Sequence, residues 1–213
     1  MPGFNDERAG LNVRGLSCER GGKPLFSNVD LQAHAGTAAI LVGANGTGKT
    51  TLLRALAGLN EPIAGEVCWG ASPIAVRSAY WRSRLAYAGH KSGHKDDLSV
   101  MENLSLACEL ESVVVDRPKQ VQALERVGLE RRRTLQVKRL SQGQRQRLTL
   151  ARLSLSQRPL WLLDEPTAAL DTNARALLSE ILSDHLARGG VAVVATHDAI
   201  DVRGHRTNEL RLG

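Results

Sequence analysis

Short unbroken apolar runs stand out first in the hydrophobic pattern of the chain, at residues 38–42, 160–163 and 191–195. Runs of this length without alternation are typical of strands that are buried on both faces of a mostly parallel sheet. Residues 50–59 and 172–186 instead repeat leucine, isoleucine and alanine at helical intervals, which predicts amphipathic helices. The order strand, helix, strand, helix, strand therefore predicts an α/β core.

The start of the chain carries a different pattern from this core. Residues 11–19 and 25–32 alternate apolar and polar positions, and the turn-forming residues Gly21-Gly22-Lys23-Pro24 separate them. Two alternating segments around a glycine-rich turn predict an antiparallel hairpin. We place this hairpin beside the main sheet, as an antiparallel β edge near the N-terminus.

The middle of the chain has no strand pattern between about Tyr87 and Pro159. Helical periodicity replaces it, at residues 100–110, 119–127 and 142–154. We therefore predict a single domain in which a helical lobe is inserted between two halves of the core. The predicted boundaries are residues 1–213 for the domain, 1–87 and 159–213 for the core, and 88–158 for the lobe.

The composition is that of an ordinary globular protein with excess positive charge. Its 213 residues include 28 Lys and Arg against 22 Asp and Glu, a net charge of +6, and only 3% are aromatic. This charge would suit a nucleotide, an acidic membrane surface or a nucleic acid, but few rings are present for bases to stack on. We therefore expect no nucleic-acid partner.

No apolar run approaches the roughly 20 residues that span a bilayer, and the first residues do not resemble a secretory signal. We expect any membrane contact to occur through partners.

Three cysteines, Cys18, Cys68 and Cys108, lie far apart in the sequence. No Cys-x-x-Cys pair occurs among them, so the spacing gives no indication of a thiol-redox, zinc or haem-attachment site. We predict that all three are reduced and serve as small apolar residues.

The most specific motif lies between the first predicted buried strand and the helix that follows it. Glycines there would let backbone N–H groups turn toward phosphate oxygens, and the helix start adds its positive dipole. We predict that Lys49 reaches the β- and γ-phosphates of a nucleotide and that Thr50 binds Mg²⁺. The alternative is a glycine turn that only caps the helix. The motif, which fits Gly-x4-Gly-Lys-Ser/Thr, and the neighbour assigned with it are Gly43, Ala44, Asn45, Gly46, Thr47, Gly48, Lys49, Thr50 and Thr51.

Two further candidates follow the other apolar runs. Asp164 and Glu165 close the second run, and a carboxylate at the end of a buried strand is costly unless a cation compensates it. We predict that Asp164 holds Mg²⁺, through water, and that Glu165 orients or deprotonates the water that attacks the γ-phosphate. An exposed acidic loop is the alternative. His197 follows the third run, and a lone histidine is more often structural.

The sequence Leu140-Ser141-Gln142-Gly143-Gln144 precedes a basic helix. Ser141 and Gln144 have the spacing of a capping box, so a well-capped helix is one interpretation. That interpretation leaves Gly143 unexplained, because glycine in a first turn costs about 0.5 to 1 kcal/mol relative to alanine. A bare backbone is favoured where something large approaches closely, such as an ATP phosphate bound to a second molecule.

The Leu-Ser-x-Gly-Gln motif between the phosphate loop and the Asp-Glu strand resembles that of the ATP-binding cassette (ABC) ATPases, over essentially the whole chain. The resemblance implies a P-loop ATPase fold in which two copies sandwich two ATPs head to tail. Each ATP would lie between the phosphate loop of one copy and Ser141, Gly143 and Gln144 of the other. The resemblance also implies that Asp171 belongs to the D-loop of the family, so we assign Asp171 to the nucleotide site. It makes His197 a γ-phosphate contact and a catalytic residue beside Glu165.

Two positions depart from the family pattern. Most cassettes carry an aromatic residue that stacks on adenine, and here Arg20 corresponds to it. A guanidinium plane can also stack, although an exposed turn arginine is the alternative. His90 corresponds to the glutamine that usually reaches Mg²⁺ and senses the transporter, so we assign it to the nucleotide site. His90 and His94 also have a spacing that would suit a metal or haem, but no third ligand is visible.

The segment 87–91, Tyr-Ala-Gly-His-Lys, and the segment 98–104 are similar to the cytochrome c biogenesis ATP-binding export proteins, the CcmA family of haem exporters. This resemblance implies a membrane permease like CcmB as partner, with CcmC and CcmD, at the cytoplasmic face of the bacterial inner membrane. ATP hydrolysis would energise haem export or release a haem-loaded chaperone. We expect the permease to dock near residues 90–104. The alternatives are another small ABC importer or exporter and, more remotely, a soluble ABC-type ATPase acting on nucleic acid.

Overall fold

The computed structural model describes residues 10–89 and 93–213, and these contain nine strands and six α-helices. In chain order the elements are β1 (Gly10–Arg20), β2 (Lys23–His34), β3 (Thr37–Val42), α1 (Lys49–Leu56), β4 (Ala64–Trp69), β5 (Ser72–Pro73), α2 (Ala79–Arg82), β6 (Leu85–Ala88), α3 (Val100–Leu110), α4 (Arg117–Arg126), α5 (Gln142–Leu155), β7 (Leu160–Asp164), α6 (Thr172–Ala187), β8 (Val191–Ala195) and β9 (Arg206–Arg211). The predicted α/β class is confirmed.

The main sheet has five strands in the order β6-β7-β8-β3-β9, and every neighbouring pair is parallel. The apolar runs form its three inner strands, as predicted. The edge strands β6 and β9 were not predicted, because β6 has only four residues and β9 is largely polar and exposed. Both edge strands are less buried than the inner strands, so neither needs a continuous apolar run.

The predicted hairpin is present as β1 and β2, but it belongs to a second, antiparallel sheet of order β2-β1-β4-β5. The turn is tighter than predicted, because Lys23 pairs with Arg20 and Gly21 and Gly22 alone connect the strands. β4 escaped prediction because its first half is exposed and only its last three residues are buried.

Two apolar layers cover the two faces of the parallel sheet. Leu160 and Leu162 of β7 face a layer formed by α1 and the antiparallel sheet. Trp161 and Leu163 face the other layer, which contains α3, α4, α5 and α6. Burial on both faces explains why the inner strands read as unbroken apolar runs. Cys18, Cys68 and Cys108 are free and buried, which confirms their prediction as apolar residues.

The helices between β6 and β7 begin at well-formed caps. Ser99 caps α3 through a capping box with Glu102, and Asp116 caps α4 by accepting a hydrogen bond from Lys119 N. Within residues 10–89 and 93–213, no helix combines the length and apolar character needed to cross a bilayer.

His185 is a fully buried histidine in the layer beneath the parallel sheet. Its ring stacks on Trp161 with the ring centroids 3.9 Å apart, and its Nε2 lies 3.1 Å from the Val191 carbonyl oxygen. Burial lowers its pKa to about 3, although the carbonyls that face the ring oppose this shift. Between about pH 6.5 and 3, the folded protein therefore keeps this imidazole neutral, whereas an exposed histidine would be charged.

We expect the stability of the protein to fall as the pH decreases from about 6.5 toward 3, because the unfolded chain then binds a proton at His185 that the folded chain does not. His185→Phe keeps a ring on Trp161 without a titrating group. Between about pH 7 and 4.5, the His185→Phe variant should lose roughly 2 to 3 kcal/mol less unfolding free energy than the wild type loses. Urea unfolding measures this. His34→Gln, at an exposed histidine, is the control and should keep the wild-type pH dependence.

Candidate functional site

The candidate site lies where the carboxyl ends of the inner parallel strands meet. β8 pairs with both β3 and β7, so the loops that follow these strands lie side by side. Asp164, the last residue of β7, is opposite Ala195, the last residue of β8. The Glu165 N–H also donates to the Ala195 carbonyl oxygen at 2.8 Å. The sheet therefore brings together the phosphate loop, the acidic pair and the histidine, which are distant in sequence.

The glycines of the phosphate loop are required by their conformations and neighbours. Gly43 has φ 151°, and a Cβ there would lie 2.4 Å from the Leu212 carbonyl oxygen. Gly48 has φ 102°, and a Cβ there would lie 2.8 Å from the ring of Phe26. Neither position accepts a side chain, which fixes the loop directly before α1. Between them, Ala44, Asn45 and Gly46 are exposed.

Lys49 is buried at the centre of this loop. Its ammonium donates to the carbonyl oxygens of Gly43 at 2.7 Å and Ala44 at 3.1 Å, and it lies 3.3 Å from His197 Nε2. Within the described part of the chain these contacts come from carbonyl oxygens and a ring nitrogen, which do not balance the charge of the ammonium. The ammonium is therefore suited to an anionic group that enters the loop.

Thr50 and Asp164 form the oxygen-rich part of the site. The Thr50 hydroxyl donates to Asp164 Oδ1 at 3.0 Å, and Asp164 is buried. A hydroxyl and one carboxylate fit Mg²⁺, which in nucleotide sites takes one or two protein oxygens and completes its shell with water and phosphate. No group of three or more His, Cys, Asp or Glu that could hold a metal occurs in residues 10–89 and 93–213.

Glu165 and His197 face each other across the site. Glu165 Oε1 lies 3.3 Å from His197 Nε2, the same nitrogen that lies near Lys49. This nitrogen can donate to Glu165 or accept from Lys49, depending on which tautomer is present. Glu165 has φ 50°, a left-handed conformation that is uncommon outside glycine and often occurs at functional sites. The contacts bring Lys49, Glu165 and His197 into one cluster.

The start of α5 is capped as predicted, which confirms the capping box. Ser141 Oγ accepts from Gln144 N at 3.3 Å, and Gln144 Oε1 accepts from Ser141 N at 3.0 Å. Each of these two side chains accepts from the backbone N–H of the other residue and makes no hydrogen bond to the phosphate loop. Gly143 has a neighbour that its motif did not reveal, because a Cβ there would lie 3.0 Å from the Ala169 carbonyl oxygen. Close packing within the chain therefore gives one physical reason for this glycine.

Asp171 occupies the N-cap of α6. Its Oδ1 accepts from Ala174 N at 2.8 Å, and Arg147 Nη2 lies 3.0 and 2.7 Å from its two carboxylate oxygens. The hydrogen bond from Ala174 and the pairing with Arg147 lower the pKa of Asp171. Asp171 therefore stays ionised and fixes the start of α6 against α5.

Arg20 lies next to the nucleotide motif. It lines a surface pocket of about 350 Å³ that also contains Thr50, Thr51 and Arg54. Arg20 is exposed, so its guanidinium is accessible from this pocket. The assignment of Arg20 to adenine stays a prediction.

His90 lies outside the described residues, so its assigned role stays a prediction. His94 Nε2 lies 3.4 Å from Thr149 Oγ1, and burial, with Arg152 and Arg145 nearby, lowers the pKa of His94 to about 4. A neutral His94 packed against α5 is consistent with a structural residue.

Sequence reasoning missed three residues that hold the site loops, namely Arg147, Arg175 and Asp198. Arg147 binds Asp171, while Arg175 pairs with Asp198, the residue after His197. For Arg175, the sequence offered one hint, which is its position one helical turn after Asp171. Long-range ion pairs leave no periodic pattern in a sequence.

A family match and two similar proteins both relate this chain to ATP-binding transport proteins. Residues 26–168 match the sequence family described as ABC transporter. The chain is 43% identical to the cytochrome c biogenesis ATP-binding export protein CcmA of Dechloromonas aromatica, over 95% of this chain and all of that protein. It is 44% identical to the protein of that name from Methylococcus capsulatus, over 92% of this chain and 95% of that protein.

Solved structures of similar fold are also ATP-binding proteins. An ATP-binding subunit of an ABC transporter superposes with a TM-score of 0.79 at 26% identity, covering 88% of this chain and 79% of that one. A putative ABC transporter ATP-binding protein from Pyrococcus furiosus superposes with a TM-score of 0.80 at 25% identity, covering 94% and 97%.

Proposed function

This chain belongs to the ABC transporter family, and from that premise we propose that it is the ATP-hydrolysing subunit of a membrane complex in c-type cytochrome biogenesis. The observation that carries the proposal is identity of 43% and 44%, over nearly the full chain, to two proteins named for that process. ATP hydrolysis by the subunit energises haem export or the release of a haem-loaded chaperone. The subunit is one ABC ATPase domain with the core and lobe boundaries predicted from the sequence.

The ATP site is built on the phosphate loop and the ends of β7 and β8. The exposed backbone from Ala44 to Gly46 faces the incoming phosphates, and Lys49 exchanges its carbonyl contacts for phosphate oxygens. Thr50 and Asp164 hold Mg²⁺, which when bound neutralises charge on the phosphates. Glu165 orients the attacking water and accepts its proton. His197, 3.3 Å from Glu165, contacts the γ-phosphate.

The second half of the site comes from another copy of the chain. Ser141, Gly143 and Gln144 lie at the start of α5, where backbone N–H groups and the helix dipole favour an anion. Ser141 and Gln144 cap their own helix, and the three residues contact the phosphate of an ATP that is bound to the facing molecule. Asp171 lies beside this surface, fixed by Arg147, and contributes to the interface.

Arg20 stacks on the adenine of the bound ATP in this scheme. Arg20→Ala should then raise the Kd for ATP by about 2- to 30-fold, the range expected for a lost cation–π or stacking contact. Arg20→Tyr, which restores an aromatic surface, should bind ATP nearly as well as the wild type. Lys23→Ala removes another exposed cation from the same hairpin and serves as the control. Calorimetric titration measures the Kd, and an Arg20→Ala affinity equal to that of Lys23→Ala would leave Arg20 an ordinary turn arginine.

Similarity to proteins named CcmA supports a proposal about partners as well. The subunit pairs with a membrane permease resembling CcmB, together with CcmC and CcmD, and lies peripherally at the cytoplasmic face of the inner membrane. A groove lined by His94, Asn103, Leu106, Leu110 and Arg152 is the docking face. Leu110 is 74% exposed, and an accessible leucine beside polar groups suits a partner helix. The groove extends beyond the segment 90–104 expected from the sequence.

Purification of the complex through the tagged full-length chain tests the assignment. Mass spectrometry should identify a CcmB-like permease, and recovery of a sugar or metal permease would overturn it. Leu110→Arg should reduce the recovered permease by about tenfold or more, because it replaces an accessible apolar contact for the partner with a long charged side chain. Leu59→Arg, at an exposed leucine after α1, is the matched control and should retain the permease.

A further inference from the structure

Arg175 on α6 joins two loops of the ATP site. Its Nη2 lies 3.1 Å from Asp198 Oδ2, and its Nε donates to the Leu170 carbonyl oxygen at 3.3 Å. Asp198 is bonded directly to His197, and Leu170 to Asp171. One rigid guanidinium therefore spans the histidine loop and the loop between β7 and α6.

Asp198 is held from other directions as well. Its N–H donates to Thr196 Oγ1 at 3.0 Å, and Thr196 Oγ1 lies 3.3 Å from Thr167 Oγ1. Hydrogen bonding to Thr167 and pairing with Arg175 lower the pKa of Asp198. The carboxylate is therefore ionised and fixed, and it restricts the backbone that carries His197.

The loop between β7 and α6 is also attached to α5. Arg147 on α5 binds both carboxylate oxygens of Asp171, at 3.0 and 2.7 Å. Gln146 Nε2 donates to the Pro166 carbonyl oxygen at 2.9 Å. The space beside Gly143 is limited, because a Cβ there would lie 3.0 Å from the Ala169 carbonyl oxygen. The start of α5 and the histidine loop therefore bind the same short segment, from its two sides.

We infer that Arg175 is a positioning residue that couples His197 to the start of α5, through Leu170, Asp171 and Arg147. This inference rests on the proposed function, because it takes His197 as the contact to the ATP of its own chain and Ser141 as the contact to the ATP of the facing copy. Arg175 then links the two ATP sites through one subunit. Movement of α5 upon dimerisation is transmitted to His197 by contiguous ion pairs and hydrogen bonds.

The exposure of the pair separates this role from simple stabilisation. The side chains of Arg175 and Asp198 are 46% and 40% exposed, so their attraction is screened by water. A merely structural ion pair of this kind contributes little to folding. Loss of Arg175 should therefore change how the protein responds to ATP, with little change in its melting temperature.

The test compares Arg175→Gln with Arg126→Gln in the full-length protein. Arg126 also forms exposed ion pairs with α6, through Glu180 and Asp184, but these do not touch the site. Arg175→Gln should lower kcat by about 5- to 30-fold. In a Glu165→Gln background, Arg175→Gln should raise the ATP concentration that is needed for dimerisation by a similar factor. Light scattering measures the dimerisation. Arg126→Gln should change neither, and both variants should melt at similar temperatures.

A double-mutant cycle identifies the partner of Arg175. Asp198→Asn should reproduce the Arg175→Gln defect, and the double variant should be no slower than the slower single variant. Additive losses of kcat in the double variant would overturn this inference alone. The same holds if Arg175→Gln and Arg126→Gln give equal kcat and equal dimerisation while the Glu165→Gln parent dimerises with ATP. A parent protein that forms no ATP-dependent dimer would overturn the proposed sandwich and this inference together.

Discussion

Glu165→Gln should slow ATP hydrolysis by about 10²- to 10⁴-fold, the range expected for loss of a general base. The substitution keeps the size and hydrogen-bonding capacity of the side chain but removes the group that accepts a proton from water. Glu165 makes no contact with Lys49 or Thr50 that ATP binding would need, since its side-chain partner is His197. ATP affinity should therefore be retained, and the ATP-bound dimer should persist longer.

Phosphate release under saturating ATP measures this rate, and calorimetry measures the affinity. Glu66→Gln is the control, because Glu66 is an exposed carboxylate paired with Arg14 in the antiparallel sheet. It should hydrolyse ATP at the wild-type rate. Turnover of Glu165→Gln close to that of the control would remove Glu165 from the role of base, and a parallel loss of ATP binding would make it a binding residue.

Ser141→Arg should abolish hydrolysis while the isolated subunit still binds ATP with wild-type affinity. A bulky cation at the start of α5 would block the approach of a phosphate carried by the facing copy. The phosphate loop of the same chain should be unaffected, because Ser141 and Gln144 bond to each other. We expect a rate at least about 10²-fold lower, since an ATP left with half a site lacks the donors that stabilise its transition state.

The structure offers a matched control for the lost helix cap. Ser99 forms an equivalent capping box with Glu102 at the start of α3. Both Ser141→Arg and Ser99→Arg remove a cap, which costs about 1 kcal/mol of stability. Only Ser141→Arg should stop hydrolysis if the cap residue has a second role in the dimer. Equal loss of ATPase in both variants, or loss of ATP binding by monomeric Ser141→Arg, would contradict a site completed by a second copy.

The sequence determined the parts of this protein whose chemistry is local. Unbroken apolar runs identified the inner strands, because residues buried on both faces must all be apolar. The motif from Gly43 to Thr50 predicts a phosphate loop, because its glycines and lysine have the spacing that suits this purpose. The capping box of Ser141 was also readable, because its partners are three residues apart.

The tertiary structure decided what depends on residues far apart in the chain. It brought His197 within 3.3 Å of both Lys49 and Glu165, through strands β3, β7 and β8 that pair side by side. It also paired Arg147 with Asp171, which is 24 residues away. Such contacts follow from the parallel register of the sheet and the packing of α5 on α6, and neither leaves a periodic signal in the sequence.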